Sequence, residues 1–377
     1  MKSGLCFLLL FCSIHLQAQE YSVNFNVNTD NPDIMKIVSV WQSYLKSNSS
    51  DYWDKDEVKA LRNFNVLDMS GIINPSLMNW GLSNRILSIN RISEDKFLIK
   101  SLFETDRREI FAITNVIAKK HGDSFSLSNY IFEYTKNWKN TETSNISYYY
   151  SAEYNFNNEN ATQAEAFYSK LCKAFDIKPE QLTYYISKNC DNIYDIIGYD
   201  YIFLKGAMAE CGYFESNNNF IFATEYAGEN HYHEITHVIN KYYPNANELL
   251  LTGISAYISK EKAHLGKPLI YHTKRVNAYL KKHKELDLSQ PSTFYKLDEF
   301  TNPQYVIGAV LCDAILEKGG RKKLIDAFRN TKTDEDLIQY FKFNILKKNE
   351  DLNTLIRKKI EKYSIENNFP NKLDSLN

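Results

Sequence analysis

The sequence predicts an α+β chain, on three observations. From Ile86 to Phe132, runs rich in β-branched and aromatic residues follow one another at strand length. From Tyr305 to Glu366, apolar residues recur at helical spacing. Between these regions, the strand-like run Asn219 to Thr224 leads through a polar stretch into His233-Glu234-Ile235-Thr236-His237. A length of 377 residues allows roughly two to three domains, and the pattern supports two, 20–140 and 145–377, after a leader at 1–19.

The leader carries Lys2, an apolar stretch from Leu5 to Leu16 and small or polar residues at Gln17-Ala18-Gln19, which is the pattern of a secretory signal. It is too short for a membrane span, so the sequence predicts an exported protein, periplasmic or secreted, with lipid anchoring at Cys12 disfavoured by the bulky residues before it. Four cysteines lie beyond the leader: Cys172, Cys190, Cys211 and Cys312. In an oxidising compartment they permit three pairings. A Cys190–Cys211 bridge is preferred because both residues flank the stretch leading to the histidine motif, with buried free thiols as the alternative. With 45 basic and 46 acidic residues the net charge is -1, so no bulk electrostatic case exists for a nucleic-acid partner. The 27 tyrosines are read as mainly structural.

In the first domain, Asp33 to Lys46 reads as a helix with Ile37, Val40, Trp41 and Tyr44 on one face. Strands are expected at Ile86 to Ile92, Phe97 to Glu104, Ile110 to Lys119 and Ser124 to Phe132, with Lys120-His121-Gly122-Asp123 as a hairpin turn. A helix packed into such a curved antiparallel sheet resembles the nuclear-transport-factor-like cone fold. A polar linker, Lys136 to Thr143, then precedes a strand at Ile146 to Tyr154, an amphipathic helix at Thr162 to Phe175 and a strand at Gln181 to Lys188. Next come an irregular region from Gly198 to Gly212 and a presumed edge strand at Asn219 to Thr224. Helices follow: one from about Asn245, a Lys-rich solvated face at Lys274 to Lys284, Tyr305 to Glu317 ending at Gly319-Gly320, Arg321 to Phe328, Asp334 to Phe343, and Leu352 to Glu366.

The motif supplies the chemistry. Residues four apart on a helix share a face, so His233 and His237 can reach one ion, and Zn2+ accepts neutral imidazole nitrogens. Glu234 then stands beside the ion, placed to take a proton from water and pass it on. From about Ile146 to Phe328 the chain resembles the exported peptidase-MA-like metallopeptidases of the gluzincin type, which implies a zincin-like domain, zinc as cofactor, and a peptide or protein substrate. The resemblance also implies a second helix with a Glu-Gly-Leu/Ile-Ala-x-Tyr segment, whose Glu is the third zinc ligand. Here that stretch reads Leu251-Thr252-Gly253-Ile254-Ser255-Ala256-Tyr257, with Thr252 at the ligand position.

A threonine hydroxyl is a poor substitute for a carboxylate on zinc. Glu248, one turn earlier on the same face, is the local replacement, and Asn247-Glu248 resembles the Asn-Glu pair of thermolysin-like gluzincins. His231 could bind only from the loop before the motif. Asp298 and Glu299 could approach from a loop, whereas His264, His272 and His283 carry no ligand spacing and read as surface residues. Tyr257 or Tyr305 could donate to a developing oxyanion, and each could equally be a packing residue. Three functions stand open at this stage: a zinc peptidase with His233, His237 and Glu248 as ligands and Glu234 as base; a zincin-fold protein that binds peptide without cutting it; or, with no named residue behind it, an N-terminal cone that holds a small ligand.

Overall fold

A computed structural model describes residues 21–68, 81–206 and 211–370, and the leader at 1–19 lies outside them. In chain order the first elements are β1 (Tyr21–Val23), α1 (Pro32–Ser47), α2 (Lys55–Ala60), β2 (Ser83–Arg91), β3 (Lys96–Glu104), β4 (Ile110–His121), β5 (Ser124–Ser128), α3 (Tyr130–Tyr134), β6 (Lys139–Glu142), β7 (Ile146–Tyr150), α4 (Asn158–Ala174) and β8 (Leu182–Ser187). Then follow α5 (Cys190–Ile197), β9 (Tyr199–Ile202), β10 (Gly212–Glu215), β11 (Phe220–Thr224), α6 (Tyr232–Thr236), α7 (Val238–Tyr242), α8 (Glu248–Ile258), α9 (Leu269–Lys282), α10 (Pro303–Asn330), α11 (Asp334–Asn344) and α12 (Leu352–Glu366). The chain is α+β with two mixed sheets.

Two compact units divide the described residues, and the division is not a single cut. One unit comprises 21–55, 81–128 and 199–203; the other comprises the rest. The first holds a sheet in the order β1-β2-β3-β4-β5, with β9 also paired to β4. Strands β2 to β5 pair as successive antiparallel neighbours, and Gly122, at φ 61°, makes the β4–β5 turn. Helix α1 starts at Asn31, whose side chain accepts from the amides of Asp33 and Ile34, and it buries Ile37, Trp41 and Tyr44. Trp41 Nε1 donates to Asn84 Oδ1 at 3.1 Å, which satisfies the one polar atom of a fully buried ring.

The second unit carries the sheet β10-β11-β8-β7-β6. Strands β7, β8 and β11 run parallel, with antiparallel β6 and β10 at the two margins. Several expectations change here. The Asn219 to Thr224 strand is interior rather than an edge, because β10, which starts where the region read as irregular ends, pairs with its outer side. That region also contributes β9, and the presumed linker contributes β6. The strand expected to reach Phe132 stops at Ser128, where the Asn129 amide and side chain both donate to the Glu57 carboxylate at 2.8 Å and α3 begins. Helix α5 is an addition, and its signals are local: Asn189 accepts from the Asn192 amide at the start, and Gly198 ends it at φ 114°. Cys190 and Cys211 form a disulfide with Cα atoms 5.8 Å apart, while Cys172 and Cys312 are buried free thiols.

Helix α8 is mainly apolar and buries Leu249, Leu250, Leu251 and every residue from Gly253 to Ile258, as a helix packed among others must. It crosses α10 at Gly253 and Gly308. A Cβ on Gly253 would fall 2.2 Å from the Gly308 carbonyl carbon, and one on Gly308 would fall 2.3 Å from the Leu249 oxygen. Helix α10 bends at Gly319-Gly320, where the backbone leaves helical geometry, as the Gly-Gly pair predicts. No helix among the described residues is long and apolar enough to cross a membrane. Substituting Gly253→Ala should lower stability by ~2 kcal/mol or more through overpacking against backbone that cannot yield, read as a lower urea midpoint with unchanged slope.

Candidate metal centre

The loop between β11 and α6 is fixed from below before the motif begins. Glu229, fully buried, accepts from the Tyr154 hydroxyl at 3.0 Å, the Asn157 amide at 2.7 Å and the Asn160 side chain at 3.3 Å. Tyr148 donates to the Glu229 carbonyl at 3.2 Å, and Tyr184 donates to the Gly228 carbonyl at 2.7 Å. The Tyr184 oxygen in turn accepts from the His231 amide at 3.3 Å. Buried tyrosines of β7 and β8 therefore set where α6 starts. Phe167 of α4 stacks on Tyr232, with ring centres 4.4 Å apart.

His233 and His237 lie one turn apart, with α6 ending at Thr236 and α7 resuming at Val238. Their ring centres are 4.9 Å apart with planes at 80°. Two imidazoles bound through one nitrogen each to a tetrahedral zinc place their ring centres about 5 Å apart, a separation the pair matches. One donor atom from each of His233, Glu234 and His237 falls within 4.8 Å of the others. His237 Nδ1 lies 3.2 Å from Ser255 Oγ and 3.1 Å from Asn240 Nδ2, and His233 Nδ1 lies 3.4 Å from Ser259 Oγ. Contacts of this kind hold ligating rings in orientation.

Burial governs the charges. It pushes His231 and His237 down to about 4 and His233 well below its ordinary value, so all three are neutral imidazoles, the form that binds metal. Glu234 is pushed up to about 8 by the same desolvation, against which the Phe214 amide of β10 hydrogen-bonds its carboxylate. A bound cation would favour the ionised form again.

A cavity of about 240 Å3 opens beside Glu234, walled by Gly212, Tyr226, His231, His264 and Tyr305 among others. Gly212 is obligatory there, since a Cβ would fall 2.5 Å from His231 Cε1 and 2.6 Å from Glu234 Cγ. The neighbouring Cys211 also lines the cavity, so the disulfide anchors the start of β10 at the site. His231 brings its Nδ1 to this wall sealed from solvent and without a partner.

The other candidates divide. Tyr305 is at the cavity, its ring 5.7 Å from His233 and stacked on His264 at 4.0 Å, and burial raises its hydroxyl to about 12, so it remains a donor. Tyr257 is elsewhere, fully buried with its hydroxyl donating to Asp313 at 3.2 Å. Glu248 is exposed in the first turn of α8 and lines a separate polar groove with Thr252, Asn240 and Gln304. The seven residues from Glu248 to Ser255 rise about 10 Å along a helix, which carries the carboxylate past the histidines; serines face them instead. Asp298 is paired with Arg275 and caps the amides of Phe300 and Thr301, and Glu299 is exposed. Of the three histidines read as surface residues, His264 is a cavity wall and His272 is fully buried, bonded to Thr301 and the His264 carbonyl; His283 pairs with Glu285. Their burial had no local signal, because it is created by the segment from 263 to 301 folding over the site.

In metal-free protein, unfolded Glu234 ionises near 4.5 while the folded side chain holds its proton to about 8. The folded state then binds the extra proton across that window, so this residue's contribution should fall as pH rises from about 4.5 to about 8. Glu234→Gln should remove that slope, and chemical denaturation of both proteins at pH 5 and pH 9 after chelation measures the difference.

No protein-family profile and no curated protein sequence matches the chain.

Proposed function

We propose that this protein is an exported zinc-dependent peptidase of the zincin type. The observation that carries the reading is the His233–His237 pair, with ring centres 4.9 Å apart, neutral through burial and flanked by Glu234 in a cavity. The surrounding order supports it: a helix between parallel strands, an antiparallel strand β10 at the sheet margin beside the motif helix, and α8 packed against α6. Export is supported by the leader pattern and by the Cys190–Cys211 disulfide, a bond that persists in oxidising compartments.

His233 and His237 would hold the ion, which supplies charge to polarise a peptide carbonyl and to make water more acidic. Glu234 takes the proton of the attacking water and delivers it to the leaving amine. Tyr305 offers its hydroxyl proton to the oxygen on which negative charge develops. Strand β10, short and marginal, is the backbone rail along which an extended peptide can add. Glu234 already engages the Phe214 amide of that strand, so base and rail are held in register.

A second reading has one observation in its favour. Helix α8 meets the histidines with Ser255 and Ser259, hydroxyls rather than carboxylates, and Thr252 stands where the resemblance expects a ligand. On that reading the groove holds peptide without cutting it. Metal analysis of protein purified without chelator separates the two: about one zinc per chain supports the peptidase, and far less supports the binding protein. Glu234→Gln should keep the zinc and reduce cleavage of an unfolded protein substrate at least ~10²-fold, and retained hydrolysis refutes the role of Glu234. Glu248→Ala should leave zinc content unchanged, because its carboxylate faces the other groove.

A further inference from the structure

We infer that Ser255 and Ser259 are positioning residues that fix the tautomers of His237 and His233, turning a bare Nε2 lone pair on each ring toward a metal before any metal arrives. The inference deepens the zinc reading above, and rests on it only for that last consequence.

A serine hydroxyl has one proton to give. Ser255 Oγ donates to the Leu251 carbonyl at 3.1 Å, one turn back along α8. It can therefore only accept from His237 Nδ1, 3.2 Å away. Ser259 repeats the arrangement, donating to the Ser255 carbonyl at 2.6 Å and lying 3.4 Å from His233 Nδ1. Both contacts on each serine are made at once only if the imidazole proton sits on Nδ1. With the proton on Nε2, each serine would have to choose between its carbonyl and its histidine.

Asn240 is compatible with this pattern in one of its two amide orientations. Its Nδ2 is 3.1 Å from His237 Nδ1, while its Oδ1 is buried with no hydrogen-bond partner. An amide turned through half a rotation occupies the same space with nitrogen and oxygen exchanged. In that orientation Oδ1 accepts from His237 Nδ1–H, and the amide nitrogen takes the place of the unpartnered oxygen. The two serines thus agree on one protonation pattern. Its product is two neutral rings with Nε2 unprotonated, the state in which imidazole binds zinc.

The test uses the full chain labelled with 15N at histidine, freed of metal by chelation, at neutral pH. Long-range 1H–15N spectra, assigned with His233→Gln and His237→Gln, should place the proton of both rings on Nδ1. Ser259→Ala should move His233 toward the Nε2–H form, and Ser255→Ala combined with Asn240→Leu should do the same for His237. Each should weaken zinc binding about 10–100-fold in chelator competition. Asn240→Asp, which keeps an acceptor at Nδ1, should retain both the Nδ1–H tautomer and the affinity. Finding either wild-type ring protonated on Nε2, or tautomers that do not move in the serine variants, overturns the inference. If the tautomers are as stated and the protein still takes up no zinc, the positioning assignment stands and the peptidase reading falls.

Discussion

Helix α8 can reach the histidines because α10 lets it sink. Gly253 and Gly308 meet backbone to backbone, with no room for a Cβ on either side. That contact sets the depth of α8, and depth decides whether Ser255 and Ser259 lie at hydrogen-bond distance from His237 and His233 or an ångström or two beyond it. Buried helices packed at native density do not slide in small steps. The glycine pair thus acts on the candidate metal centre from the far side of a helix, without touching it.

Two buried glutamates five residues apart show how the same side chain is put to different uses. Glu229 is saturated: a tyrosine hydroxyl, a backbone amide and an asparagine side chain hold its carboxylate. It is a fastener for the loop that launches α6. Glu234 has the Phe214 amide and a cavity, and desolvation holds its proton to about 8. A carboxyl with unspent hydrogen-bonding capacity and a proton affinity near neutrality is the kind of group that exchanges protons in a working site.

Much of this was legible in the sequence, for local reasons. The motif fixes residue types and spacing, and the Gly-Gly bend, the β4–β5 turn and the apolar stripe of α1 are written in neighbouring residues. What escaped depends on partners far along the chain. Strand β10 has four residues and is defined by pairing with β11, so the segment around it reads as loop. Glu248 looked able to replace the missing ligand because helical spacing says which face a residue occupies, not how far along its axis a neighbouring helix crosses. His264 and Tyr305 stand together in the fold, yet forty-one positions separate them in the sequence. Among the residues that shape the site, Ser255 and Ser259 carried the faintest signal: a four-residue spacing, one serine inside a mainly apolar helix and the other at its C-terminal cap.

The disulfide makes one wall of the cavity sensitive to oxidation and reduction. Cys190 and Cys211 are 21 residues apart, and closing a loop of that size removes chain entropy worth about 3 kcal/mol from the unfolded ensemble. That stabilisation enters one residue before Gly212, the point at which the sheet margin presses on His231 and Glu234. A chain in which that bond is reduced lacks the clamp on this strand. Forming the bond is then what brings the wall of the cavity to its full rigidity, so the shape of the cavity depends on the redox state of two cysteines.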